Sequence, residues 1–284
     1  MSIFADFLLT HLPQQTASIQ SYVIELNQTD QNNLTSSVQN EESKKVKVWL
    51  KKASERHSTW IYLPIKLLAK LFRLEVLLPV PNYGGSHAIQ CEYKRIQQLN
   101  KIGVRTSTVL AVSDYGILLE DAAPPGEEVI QLDTALARCE TLEKKLSLYI
   151  KSIEKISSIH QKQGYLSEGF IRNILVDSSE DFIFIDFETD PAEVLPLEIC
   201  QTRDWLCFIF SSAYYFDFDQ LPTASKAFYN IVKNEPKAYS KICRLGRKLR
   251  WVLPLRPQIV GNDGKRIEKT ILFLKYLDQA SKQA

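Results

Sequence analysis

The chain has 284 residues, 45% hydrophobic and 24% charged, and 35 Lys and Arg against 33 Asp and Glu leave a formal net charge of +2. Those figures exclude a disordered chain and a coiled coil, and nothing in the totals calls for a nucleic-acid partner. Five scattered cysteines, Cys91, Cys139, Cys200, Cys207 and Cys243, form no close zinc-binding pair and fit reduced thiols in a cytoplasmic protein.

MSIFADFLLTHLPQQTAS carries an acid and no basic n-region, so a short helix stopped near Pro13 is expected there and a signal peptide is not. SYVIEL (21–26) reads as a strand, and the polar, glycine-free run 27–45 as a loop. VKVWLK (46–51) alternates apolar and basic residues at the strand period. Over 60–73, Ile61, Ile65, Leu68 and Phe72 recur at helical spacing, with Lys66, Lys70 and Arg73 on other faces. This predicts an amphipathic helix that, with Trp60 and Tyr62, either covers the sheet or lies on an anionic surface. HAIQCEYKRIQQLNKIG predicts a second helix stopped at Gly103. TSTVLAVS and YGILLED predict a hairpin turning near 114–116.

AAPPGEE (122–128) is the natural boundary: strands dominate 1–122 and helices dominate 123–284. Beyond it, Leu142, Leu146, Tyr149, Ile153 and Ile156 stripe one long helix or two joined ones, and NILVDSSEDFIFIDFE reads as a hairpin in an otherwise helical remainder. No window reaches eighteen uncharged apolar residues, so no spanning helix is expected.

The second hairpin carries the chemistry. Asn173 and Asp186 flank the short strands ILV and FIFI, and a hairpin brings its ends together. An amide oxygen and a carboxylate are the hard ligands that Mg²⁺ takes when a nucleotide supplies the others; a helix-to-strand cap and a turn are the plainer reading. Lys51 stands in a strand between apolar neighbours, on the same side as Lys47 and opposite Lys52. Glu92 shares a helix with Ile96 and Leu99, which would seat that helix on the sheet. His160 reads as a structural histidine ending its helix, and Asp204 as an acid starting the next.

Asn173, Asp186-Phe187 and the boundary near 123 resemble the protein-kinase-like fold, with YLSEGFIRNILV where kinases carry the catalytic loop and IDFE where they carry D-F-G. VWLKK, EYKRIQQLNKIGV, IHQKQGYLSEGFIRNILV, FIDFE and RDWLCFIFSS, in that order, resemble more closely a bacterial kinase-like family. That family includes lipopolysaccharide core sugar kinases, 3-deoxy-manno-octulosonic acid kinases and toluene tolerance proteins. The resemblance implies an α+β, two-lobed fold: a small antiparallel-sheet lobe with the inserted amphipathic helix, and a larger helical lobe. It implies ATP and Mg²⁺ as cofactors, Lys51 on the phosphates with Glu92 as its partner, and Asn173 and Asp186 on the metal. Glu120, in LLED, would lie at the lobe junction where backbone groups receive adenine, and Asp204 would hold the catalytic loop.

Counting back from Asn173 places Glu168 at the catalytic base, with Leu166 and Ser167 where kinases have histidine and arginine. Glutamate is one methylene longer than the aspartate of the pattern, and the loop that should cover the phosphates has no glycine. The implied reaction moves the γ-phosphate of ATP to a hydroxyl of a sugar or lipid-linked glycan, at the cytoplasmic face of the inner membrane. Three other readings remain: a kinase-like binding or regulatory protein, a serine/threonine kinase, and a small-molecule kinase. FETDPAEVLPLEICQTRD is short for a peptide-binding segment, and Asp217 and Asp219 in YYFDFDQ would belong to the acidic pocket of a small-molecule kinase.

Overall fold

The computed structural model describes residues 3–26, 44–53, 80, 83–123, 127–280 and 282. The expected amphipathic helix over 60–73, with Trp60 and Tyr62, and the expected loop up to residue 43 lie outside them. The chain is mixed α+β. It opens with helix α1 (Ile3–His11), strands β1 (Ile19–Leu26) and β2 (Lys44–Lys52), helix α2 (Gly85–Lys101) and strands β3 (Val109–Val112) and β4 (Gly116–Glu120). The four strands form one antiparallel sheet in the order β1-β2-β4-β3.

Strand alternation decides what each face of this sheet does. Val46, Val48 and Leu50 of β2 are buried with Leu118 of β4 against Phe4, Leu8 and Leu12 at the start of the chain. Their neighbours Lys47, Trp49 and Lys51 therefore face the other way, toward the side where Ile117 and Leu119 meet Ile89, Ile96 and Leu99 of α2. The buried stripe of α2 includes Glu92 and Arg95 as well, so two charged groups ride on the helix face that sits on the sheet. Gly84 precedes the helix at φ +60°, a conformation that glycine takes without a steric cost.

Beyond residue 127, β5 (Ile130–Gln131) leads directly into α3 (Leu132–Arg138), and α4 (Leu142–Gln161) follows. These are the two joined helices of the sequence reading; Thr141 caps α4 by accepting from the Lys144 amide. Strands β6 (Ile174–Val176) and β7 (Phe182–Phe184) form the expected hairpin, and β5 adds a third strand in the order β5-β6-β7. The hairpin is tied back to the segment after α2. Phe184 N–H donates to the Arg105 carbonyl, and the Arg105 guanidinium spans Asp177 and Asp181 at 2.7 and 2.8 Å. Both acids are held below their usual range against the opposing effect of burial, Asp181 at about 2.

The remainder is helical: α5 (Leu197–Ser212), α6 (Leu221–Val232), α7 (Pro236–Leu249) and α8 (Asn262–Ala280). Tyr149 of α4, Trp205 and Phe208 of α5, Phe216, Phe228 of α6 and Phe273 of α8 are fully buried in the main core. Each such side chain contributes roughly 1.5–3 kcal/mol by leaving water. One expectation is corrected here. α5 begins at Leu197, right after Pro196, so Asp204 lies well inside the helix and cannot cap its start. Among the described residues no helix is long and apolar enough to cross a membrane.

Candidate functional site

Lys51 is the hinge of the site. Its side chain comes off the α2-facing side of β2, is only 9% exposed, and meets three carboxylates. The Nζ lies 2.9 Å from Glu92 Oε2, 2.8 Å from Asp186 Oδ1 and 3.0 Å from Glu188 Oε1. Burial is the largest single influence on this ammonium and works against it, but Glu92, then Asp186 and Glu188, outweigh it and raise Lys51 well above its ordinary value. The residue is a fixed cation. It also explains how Glu92, 1% exposed, can sit on a core-facing stripe, since a buried carboxylate needs a charged partner.

The hairpin brings Asn173 and Asp186 together. Ile185 N–H donates to the Asn173 carbonyl at 3.0 Å, one step beyond the last paired residues of β6 and β7. Asn173 is 6% exposed, and its Nδ2 has no hydrogen-bond partner among the described residues. Asp186 holds a left-handed φ of +70°, which costs a non-glycine residue on the order of 1 kcal/mol or more and is typical of residues held for a purpose. Phe187 next to it is buried in the main core and anchors that turn. The carboxylate of Asp186, a second acid at Glu188 and the side-chain oxygen of the buried Asn173 form a set of hard oxygen donors that fits Mg²⁺, whereas the unpartnered Nδ2 is an N–H donor and ligates nothing.

These groups line one cavity of about 760 Å³, bounded also by Trp49 and by Asp121, Ala122 and Ala123. That is the size of a small-molecule site. A second cavity, about 660 Å³, is lined by Arg138, Lys144, Asp177 and Glu180 among others and contains none of Lys51, Asn173 or Asp186.

Glu120 is not among the residues lining the main cavity. Its amide donates to the Thr108 carbonyl at 2.8 Å, and the Asp121 amide donates to the Lys47 carbonyl at 2.9 Å. The wall begins one residue later, where Asp121 accepts from Trp49 Nε1, the Ala123 amide and Lys47 Nζ. Asp217 and Asp219 do not line this cavity either.

Glu168 sits on the loop from α4 to Asn173. Burial first, and then the nearby Asp186, push its carboxyl up, against the opposing pull of Arg203 and Arg172. It is close enough to sense Asp186 but is not part of the cavity lining. The loop itself is held from below. Asp204 Oδ2 accepts from the Leu166 amide at 2.6 Å and from His160 Nε2 at 3.3 Å. Ser167 follows at φ +71°, and a Cβ on Gly169 would come 2.6 Å from the Asp204 carbonyl oxygen, so only glycine passes there. His160 Nδ1 meets Glu235 Oε2 at 3.0 Å, and Trp205 Nε1 donates to the same oxygen at 2.8 Å. Burial opposes the imidazolium, yet Asp204 and Glu235 raise His160 above its ordinary value. Its part is structural, as its place at the end of α4 suggests.

Several residues of the site escaped the sequence reading. Arg95 Nη2 donates to Asp190 Oδ1 at 2.8 Å, its guanidinium lies 3.5 Å above the Tyr165 ring, and the Tyr165 hydroxyl donates to the same Asp190 oxygen. Asp190 also caps the short turn Pro191–Glu193 through the Ala192 amide. Arg95 is one turn beyond Glu92 on the same stripe, and Asp190-Pro191 is a helix-start signature; those were the available signals. Glu188 gave none beyond its distance of two residues from Asp186. Compared with known proteins, the chain matches no family model and no curated protein.

Proposed function

We propose that the protein is a Mg²⁺- and ATP-dependent phosphotransferase of protein-kinase-like fold, with 1–122 and 123–284 as its lobes, that moves the γ-phosphate to a hydroxyl. The observation that carries this is the Lys51 ammonium held at once by Glu92 from the helix and by Asp186 from the hairpin, at the wall of a ligand-sized cavity. A lysine so placed reaches the phosphates as a point charge when a nucleotide enters, with Glu92 keeping it charged and aimed. Asn173 and Asp186 would hold the metal, which supplies neutralisation of the phosphate charge. Asp121 to Ala123, not Glu120, offer the wall nearest the expected adenine position. In the transfer, the acceptor oxygen bonds to the γ-phosphorus, the bond to the bridging oxygen of ADP breaks, and the hydroxyl proton passes to Glu168. The raised carboxyl of Glu168 suits that role.

The acceptor class, a sugar or lipid-linked glycan met at the cytoplasmic face of the inner membrane, rests on the resemblance of the sequence blocks alone. One observation favours a second reading, a protein that binds nucleotide without transfer: Glu168 is absent from the cavity wall. ATP consumption by the wild type and Asp186→Ala, with nucleotide binding measured in parallel over a panel of glycolipid and sugar acceptors, decides between them. The proposal expects wild-type turnover that falls at least about a hundredfold in Asp186→Ala. Binding without turnover under every acceptor selects the second reading, and absence of nucleotide binding sinks both.

A further inference from the structure

Away from the cavity, on the far side of Glu92, three side chains with metal-binding chemistry converge. His87 and Cys91 stand at i and i+4 on the first turns of α2, which puts both on one helix face. Glu193 comes from the turn Pro191–Glu193, which follows the hairpin. His87 Nε2 lies 3.0 Å from Glu193 Oε1, and Cys91 Sγ lies 3.8 Å from each of these atoms and 3.5 Å from His87 Nδ1. Among the described residues this is the one group of three or more His, Cys, Asp or Glu ligands gathered in this way.

The ligand atoms are gathered at nearly the spacing of a tetrahedral ion, and because the sulfur lies nearer Nδ1 than Nε2, the His87 ring must turn for one nitrogen to face both partners. Metal bonds of about 2.0–2.3 Å to nitrogen, oxygen and thiolate sulfur, at tetrahedral angles, separate the ligand atoms by about 3.3–3.6 Å. The distances bracket that range within a few tenths of an ångström. Cys91 is buried, while His87 and Glu193 are partly open to solvent, which leaves a water-accessible fourth position. The arrangement is also braced. Asp190 caps the turn that carries Glu193 and is itself gripped by Arg95 of α2 and by Tyr165. The two elements that bring the ligands are thus already locked together.

Burial, with Glu193 and Asp190 nearby, pushes the Cys91 thiol up to about 11.

We propose that His87, Cys91 and Glu193 form a site for a Zn²⁺-type divalent cation, with three protein ligands and one water. On binding, the thiol proton leaves to solvent as the metal–sulfur bond forms, and His87 ligates as neutral imidazole through Nε2. Cys91 immediately precedes Glu92, so the ion would fix the part of α2 that holds Lys51. That consequence rests on the phosphotransfer reading; the metal site does not.

The test uses the full-length protein, stripped with a chelator and titrated with Co²⁺ and then Zn²⁺. The wild type should bind one ion per chain, develop the thiolate-to-cobalt charge-transfer absorption, and lose it when Zn²⁺ displaces Co²⁺. Cys91→Ser should remove the band. His87→Ala and Glu193→Gln, both at partly exposed positions, should weaken Zn²⁺ binding at least about tenfold. No thiolate band in the wild type overturns the proposal, as does a band that persists in Cys91→Ser or a Zn²⁺ affinity unchanged in both other variants. If Cys91→Ser fails to fold, the two surface variants decide. None of these readouts involves ATP, so their failure leaves the phosphotransfer reading standing, and the reverse.

Discussion

Asp204→Asn removes a charge from under the Leu166–Gly169 loop while keeping the shape of the side chain. Asp204 is fully buried, and its Oδ2 accepts two hydrogen bonds, from the Leu166 amide and from His160. A bond to a charged group contributes about 1.5–3 kcal/mol and a neutral one about 0.5–1.5, so taking charge assistance from both should cost about 2–3 kcal/mol. The new NH₂ would stand in place of Oδ1, which has no hydrogen-bond partner among the described residues, and gains nothing in return there. The loss should depend on pH. His160 is raised in the folded state, so the stability that its proton contributes is fully present below the ordinary histidine value and disappears as pH rises through the folded value. Asparagine withdraws one of the two carboxylates that raise it, leaving Glu235. Urea unfolding followed by Trp fluorescence should therefore show a larger gap between wild type and variant at about pH 6 than at about pH 9. A gap under about 0.5 kcal/mol at the lower pH, or one that widens with rising pH, would refute the reasoning.

Lys51→Met should weaken nucleotide binding and destabilise the fold by about 3 kcal/mol, because it leaves Glu92 buried without its cation. Burial already pushes Glu92 up, so in the variant it should take a proton; the loss then grows as pH rises from about 5 to 8, and equal losses at both ends would contradict this. Glu168→Gln should lower turnover at least about a hundredfold while nucleotide affinity stays the same. The wild-type rate should climb with pH through a value above that of an ordinary glutamate, and the variant should lack that limb; a variant with near-normal turnover removes Glu168 from the chemistry. Gly169→Ala places a Cβ 2.6 Å from a backbone oxygen of α5, so melting should show a loss of about 1–3 kcal/mol, and an unchanged melting temperature would mean the loop moves freely.

Local pattern made much of the frame legible. The alternation of β2, the Gly103 stop of α2, the turn near 114–116 and the hairpin ending at Asp186 all follow from periods of two or 3.6 and from turn residues, and each lies where it was expected. Lys51, Glu92, Asn173 and Asp186 converge because those elements have few ways to pack. What local pattern does not carry is any feature that only long-range contact creates. β5 has two residues, too few for a period. The start of α5 was placed too late because Pro191 and Pro196 resemble a loop, although a proline before a helix favours its beginning. Type alone put Asp204 at a helix start, while the family resemblance put it under the loop that leads to Asn173, where its partner is the Leu166 amide 38 residues away. His87 and Glu193 lie 106 residues apart, so no spacing rule joins them.

The clamp on Lys51 has a consequence for how a ligand is received. A free lysine on a surface samples many rotamers, and ordering such a side chain on binding typically costs about 0.5–1.5 kcal/mol. Here three acids have already frozen it, so an arriving anion meets a rigid post and gives up little configurational freedom there. What it must do instead is displace a carboxylate, and Glu188, from the turn beyond the hairpin, makes the longest of the three contacts, 3.0 Å. Ligand release would then be helped by a side chain of the protein waiting to retake its place, which favours exchange over tight retention.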